Sequence, residues 1–197
     1  MRVVGLSLLF SLVTSAVVVD RIAIVVNNRA IKDTDIERDL RLTDFLNGDT
    51  LVIDAANRKK AAQRLIDQMI IRREVELGNY AAATPQDVDA FLNTVKQQRF
   101  SGEAAYSDAL KRYGITEQAL RQHLQWQLTV LNFINQRFGP AVIINNTDID
   151  AYAKAHNVDK DQAQKQLTEQ RVNQDFDSWL NRAEKRAAVD YHEEGLK

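Results

Sequence analysis

Four acidic residues alternate at the start of one polar stretch: Asp33, Asp35, Glu37 and Asp39. That spacing opens a calcium-binding EF-hand loop, in which oxygens at alternate positions converge on one cation. The rest of the loop does not fit. Its sixth position must turn sharply and holds Arg38 instead of glycine, and its twelfth holds Asp44 instead of the bidentate glutamate. Acids at the positive end of a helix dipole account for the pattern. His123, His156 and His192 stand far apart with no metal-ligand spacing. The glycines are isolated, so no loop is built to cradle phosphate, and no Gly-x-Ser-x-Gly elbow presents a nucleophile. Lys111 to Glu117 has the outline of a helix-turn-helix turn. The charge balance argues against DNA, because 26 basic and 27 acidic side chains leave a formal charge of −1, without the basic excess of a nucleic-acid binder. Zero cysteine excludes disulfides, thiolate metal sites, a cysteine nucleophile and a lipoprotein anchor. No constellation supports an enzyme, and neither cofactor nor metal is expected.

The first residues read as an address. Met1-Arg2 is a short positive start, Val3 to Ala16 is apolar or small throughout, and Thr14-Ser15-Ala16 supplies the small residues that a signal peptidase needs. Residues 1–16 are therefore expected to be a signal peptide, cut after Ala16, leaving a mature chain of 17–197 outside the cytoplasm. An uncut anchor is the alternative, because Val3–Val19 is 17 residues long, the lower edge of the ~17–25 that span a bilayer. After cleavage no integral span is expected.

The elements that must position any site follow the signal. Ile22 to Val26 is rich in β-branched residues, and Asn27-Asn28 tolerate the positive φ of a tight turn, so Ala30-Ile31-Lys32 returns as a hairpin arm. Thr34 to Glu37 reads as a capping box that opens a helix to about Leu46. A second helix starts near Asp54, carries Ala62, Leu65, Ile66, Met69, Ile70 and Leu77 at helical spacing, and stops at Gly78. Thr84-Pro85-Gln86-Asp87 starts a third. A fourth runs from Gly102 to Tyr113, and a fifth from Glu117 to Arg137, where Gly139-Pro140 ends it. Thr147 opens a short helix to about His156, Asp159 caps a last one to about Arg186, and Ala188 to His192 alternates like a strand.

Two helices stand out. On Glu117–Arg137, Leu120, Leu124, Leu128, Leu131, Ile134 and Phe138 form one apolar stripe, and Ala119, Trp126, Val130 and Phe133 form a second beside it. Together they exceed the ~100° of apolar face that a surface helix needs. The helix is therefore either central to the core or offers one face to something else. The last helix is almost wholly polar from Asp161 to Arg171 and apolar on one side from Val172. Its second half is expected to dock on the bundle, and its first half to be a solvated arm.

Taken in order, several segments resemble the SurA-type periplasmic chaperones. Val18 to Asn27 resembles the opening strand of that family's mature proteins, and Ile31 to Ile36 its strand-to-helix step. Leu65-Ile66-Asp67-Gln68-Met69-Ile70-Ile71, ending at Leu77-Gly78, resembles the family's most recognisable helix. Thr84 to Phe91 and Tyr113 to Thr116 match the next helix starts, and Phe176, Trp179-Leu180 and Ala188 to Tyr191 look like the C-terminal helix and strand. The likeness covers nearly all of 17–197. One departure is large. The family normally inserts parvulin-type prolyl isomerase domains before the C-terminal helix, whereas here only His156-Asn157-Val158 separates the two parts, and the chain has no Gly-Gly pair.

The expected fold is mainly α, a bundle of about six to seven helices with a small sheet formed by the N-terminal hairpin and the C-terminal strand. The resemblance implies that the two chain ends meet in that sheet, 17–156 supplying one part and 159–197 the other. The expected function is ATP-independent holding of unfolded outer-membrane or secreted polypeptides on apolar surface, without isomerase activity. The client-binding candidates are Trp126, Val130 and Phe133, then Phe91 and Phe100. A non-chaperone scaffold module, with a homodimer left open, and a degenerate prolyl isomerase are the alternatives.

Overall fold

The structure, a computed structural model, describes residues 20–197. The expected signal peptide and its cleavage point lie outside the described residues. β1 (Ile22–Val26) and β2 (Arg29–Lys32) are joined by Asn27 and Asn28, whose φ angles are 46° and 70°. Two consecutive positive φ values make the primed turn whose twist suits a two-residue hairpin, and asparagine bears them at low cost. β3 (Val189–Tyr191) pairs antiparallel with β1, Ile24 opposite Tyr191, giving the order β2-β1-β3. Both ends of the described chain thus close one sheet, and the fold is mainly α with a small sheet.

Among the described residues there are seven α-helices: α1 (Asp33–Asn47), α2 (Ala55–Leu77), α3 (Pro85–Arg99), α4 (Glu103–Tyr113), α5 (Glu117–Phe138), α6 (Asn146–His156) and α7 (Lys160–Glu184). None is long and apolar enough to cross a membrane. The sequence's cap signals set most of their starts. Asp54 accepts from the Asn57 N–H at 2.8 Å, Asp159 from Gln162 at 2.8 Å, and Thr116 from Ala119 at 3.1 Å. Thr84 and Asp87 satisfy each other's backbone N–H groups around Pro85.

Three local expectations are corrected. Thr34 does not cap α1, because β2 runs straight into the helix and Lys32 takes the cap position. The Asp35 carboxylate accepts from the Lys32 N–H at 3.1 Å, while the Thr34 hydroxyl donates to Asp20 at 2.8 Å. The short helix α6 starts ahead of Thr147, capped by Asn145, whose side chain accepts from the Asp148 N–H; asparagine outranks threonine there. The left-handed residue that ends α2 is Asn79 (φ 52°), not Gly78. Gly78 serves another purpose, since a Cβ there would sit 2.3 Å from the Tyr80 ring.

Two apolar cores result. The first joins the sheet, the inner face of α2, the C-terminal half of α5 and the second half of α7 around Ile24, Ile31, Ile66, Phe133 and Trp179. The second joins α1, α3, α4 and the N-terminal half of α5 around Phe45, Leu92, Tyr106, Leu120 and Leu124. α1 and α5 belong to both: Ile36 and Leu40 enter the first and Leu42 and Phe45 the second. α5 is therefore central: Leu120, Leu124 and Leu128 face the second core, and Trp126, Val130, Phe133, Ile134 and Phe138 the first.

The polar first half of α7 is not a bare arm. α6 packs along it, with Ala163 and Ile149 buried and the Tyr152 and His156 rings stacked at 4.1 Å. The sequence pattern of α7 hides this because it gives the seam one large apolar side chain, Leu167, while Ile149 and Tyr152 come from α6.

Candidate functional site

α1, α2 and α5 converge on a cleft of about 250 Å³ at the junction of the two cores. Each helix contributes the same face, four residues at i, i+3, i+4 and i+7. From α1 come Asp35, Arg38, Asp39 and Leu42; from α2, Leu65, Gln68, Met69 and Arg72; from α5, Ala119, Gln122, His123 and Trp126. Positions at that spacing share one stripe of a helix. Ile31, fully buried on β2, completes the lining. Leu42, Leu65, Met69 and Trp126 make the apolar wall, and the charged and amide groups interrupt it.

The polar groups are largely tied down. Asp39 is buried, and one carboxylate oxygen accepts from Arg64 Nε at 2.9 Å and Nη2 at 2.6 Å. Gln68 approaches its other oxygen at 3.4 Å. Arg38 donates to Asp35 at 2.9 Å. His123 sits 2.9 Å from the amide nitrogen of Gln127 through Nε2. An amide nitrogen only donates, so the ring accepts and is neutral at that atom. Burial pushes the His123 pKa below its ordinary value, and the neighbouring Asp39 charge opposes that only in part. Arg72 lies over the Trp126 ring, 4.0 Å from its centroid, a cation–π pair that fixes the indole.

Of the five residues expected to bind clients, only Trp126 reaches this cleft. Val130 is half-buried against the first core. Phe133 is 0% exposed. It packs edge-on to Tyr80 at 4.9 Å and to Trp179 at 5.6 Å, so it offers no surface. Phe100 stacks on Phe45 at 5.7 Å and closes the second core. Phe91 is 42% exposed on α3 and is not part of the cleft. The other exposed apolar side chains, Leu77, Leu131 and Ile143 among them, need no explanation individually, since single apolar residues are common on surfaces. Leu65 and Met69 read as part of the apolar stripe of α2, and Asp35 and Asp39 as the acidic start of α1, so the pattern along each helix gives no sign that they share a cleft. The signal present was positional: one quartet spacing on three helices.

Two further titratable groups lie outside the cleft. At the α2–α7 contact, Gln63 donates to Asp67 at 2.8 Å and to Glu184 at 3.2 Å, so one amide bridges two carboxyl groups. Burial, and then the Glu184 carboxylate, push the Asp67 pKa up to about 7. In the second core the Tyr106 hydroxyl is buried with no hydrogen-bond partner, on the side facing Glu117. The Lys96 ammonium lies 4.0 Å from its ring centroid and bridges Glu103 and Glu117. Among the described residues no group of His, Cys, Asp and Glu is arranged to hold a metal ion.

Compared with known proteins, the chain matches no protein-family model and no curated protein.

Proposed function

We propose that the chain is an ATP-independent holdase of the periplasm that binds unfolded outer-membrane or secreted polypeptides, with the α1–α2–α5 cleft as its client site. The observation that carries this reading is the cleft itself. An apolar wall of the partly exposed Leu65, Met69 and Trp126, backed by the buried Leu42, is rimmed by amides and charges, which is the composition that seats an extended apolar segment. The unbranched Met69 side chain adapts to varied partners. The order of segments that resembles SurA-type chaperones agrees with it. Binding the unfolded state lowers its free concentration and so slows aggregation by mass action, with no covalent step. The departure from the family, only His156-Asn157-Val158 where isomerase domains would stand, leaves binding as the activity.

The test is suppression of porin aggregation by purified chain lacking residues 1–16, without nucleotide. Protection near stoichiometric ratios that weakens in Trp126→Ser, with helicity unchanged by circular dichroism, is expected. Absence of protection at several-fold excess removes the holdase reading. The burial of Phe133, Leu120 and Leu124 favours the second reading in that event, a scaffold module whose α5 stripes are satisfied internally and whose partner is folded.

A further inference from the structure

We propose that the cleft selects client segments in which an acidic side chain neighbours a large apolar one, Arg72 taking the carboxylate while Trp126 and Met69 take the apolar group. The inference rests on the holdase reading and names the client chemistry of that same cleft.

The argument is one of charge matching. Asp39 holds Arg64 through two hydrogen bonds, and Asp35 holds Arg38. Arg72 is different: among the described residues no carboxylate lies within ion-pair distance of it. Glu76, one turn along α2, is engaged by Arg29 in a two-point pair at 3.2 and 2.6 Å. Arg72 is half-buried and lies over the Trp126 ring. The N–H donors of a guanidinium lie in its own plane and match a planar carboxylate. Burial also holds the Arg72 pKa below its usual value; the Glu76 charge opposes this in part and Arg29 adds repulsion, so its charge sits there at a net cost that a carboxylate in the cleft would relieve. The apolar wall lies beside it, with Met69 three residues earlier on α2 and Trp126 across on α5. The arrangement therefore prefers the two groups together over either alone.

Two short peptides test this, with Leu-Glu-Phe and Leu-Gln-Phe cores in Gly-Ser flanks, both amidated at the C-terminus and carrying an uncharged dye. Their binding to the full chain is read by anisotropy. The glutamate peptide should bind about tenfold tighter, as one charge-assisted contact at a partly desolvated site allows. Arg72→Gln should equalise the two, while Arg73→Gln, the same charge change on an exposed residue about 100° further round α2 and outside the cleft, should leave the preference intact. Circular dichroism of both variants controls for folding. Equal binding of the two peptides by the unaltered chain overturns the inference, as does a preference that survives Arg72→Gln. A Leu-Gln-Phe peptide with a free C-terminus that binds as tightly as the glutamate peptide overturns the assignment to a side-chain carboxylate. The porin assay separates the two levels: protection without charge preference removes this inference alone, and no protection together with no peptide binding removes both.

Discussion

Trp126 and Phe133 lie two turns apart on α5 and belong to one sequence stripe, yet one lines a cleft and the other is sealed between Tyr80 and Trp179. Their serine substitutions should therefore separate. Phe133→Ser removes a fully buried ring and should cost at least ~3–5 kcal/mol. Chemical denaturation would register this as loss of most of the fold. Trp126→Ser should keep the fold and lose client protection. If both variants unfold alike, Trp126 is core and the cleft is not a site. Tyr106 makes a different case. Its hydroxyl is buried without a partner, and such a group costs ~1–3 kcal/mol. Tyr106→Phe should leave the denaturation midpoint unchanged or raise it, and a fall beyond 1 kcal/mol, a single-bond effect, would mean that Glu117 accepts from that hydroxyl. Asp67 carries a pH signature. Its folded pKa, about 7, lies above its unfolded value, so the folded state holds the proton longer. Its contribution to stability is full below the unfolded carboxylate range of about 4 and falls as pH rises towards 7, above which the loss is complete. Asp67→Asn should cancel that slope. Melting temperatures of both proteins across the window would check it, and parallel curves would sink the assignment.

At the scale of elements, the cleft exists because α1 and α2 lie side by side, and the Asp39–Arg64 pair bridges them. Asp39→Ala leaves Arg64 without its partner. The Arg64 side chain is 37% exposed, so the loss falls below the ~3–5 kcal/mol of a fully buried pair and should be about 2 kcal/mol. Urea titration measures it, and a change under a few tenths would assign the spacing to apolar packing alone. The element level is also where the sequence was most readable. Periodicity, Pro85, Gly114 and the caps Asp54, Thr84, Thr116 and Asp159 mark helix ends within about two residues, because each satisfies a local backbone demand. Thr34 misled because the demand it would meet was already met by Asp35 and by the directness of the β2–α1 step. The α6 seam on α7 and the three-helix cleft were not legible for a shared reason. Each is made by residues of separate helices, and only tertiary placement brings them together.

The molecule as a whole has two apolar cores but a shared frame. α1 and α5 run through both. The C-terminal segment ties back at several points: β3 lies on β1, Leu196 is buried, and Arg58 on α2 donates to Asp33 at 3.1 Å and to Glu193 at 2.9 Å. Neither core can open without exposing half of a helix that the other needs, so the two should unfold in one transition despite their separate centres. The α6 hairpin with the first half of α7 is outside this frame. Its packing is α6 against α7, and of the large side chains in that seam Ile149 is buried while Tyr152 and Leu167 are only half-buried. Local opening costs least where few apolar contacts are lost. Amide hydrogen exchange should therefore show one slow class that covers α1, α2, α5 and β1, and a faster class over α6 and residues 160–171. The same contrast bears on function. A cleft built from the slow class is preorganised, so client binding there should leave its exchange pattern in place apart from added protection at the lining residues. A faster class that spread into α1 or α5 would mean that the cleft opens by local unfolding and that the client is bound by a rearranged surface.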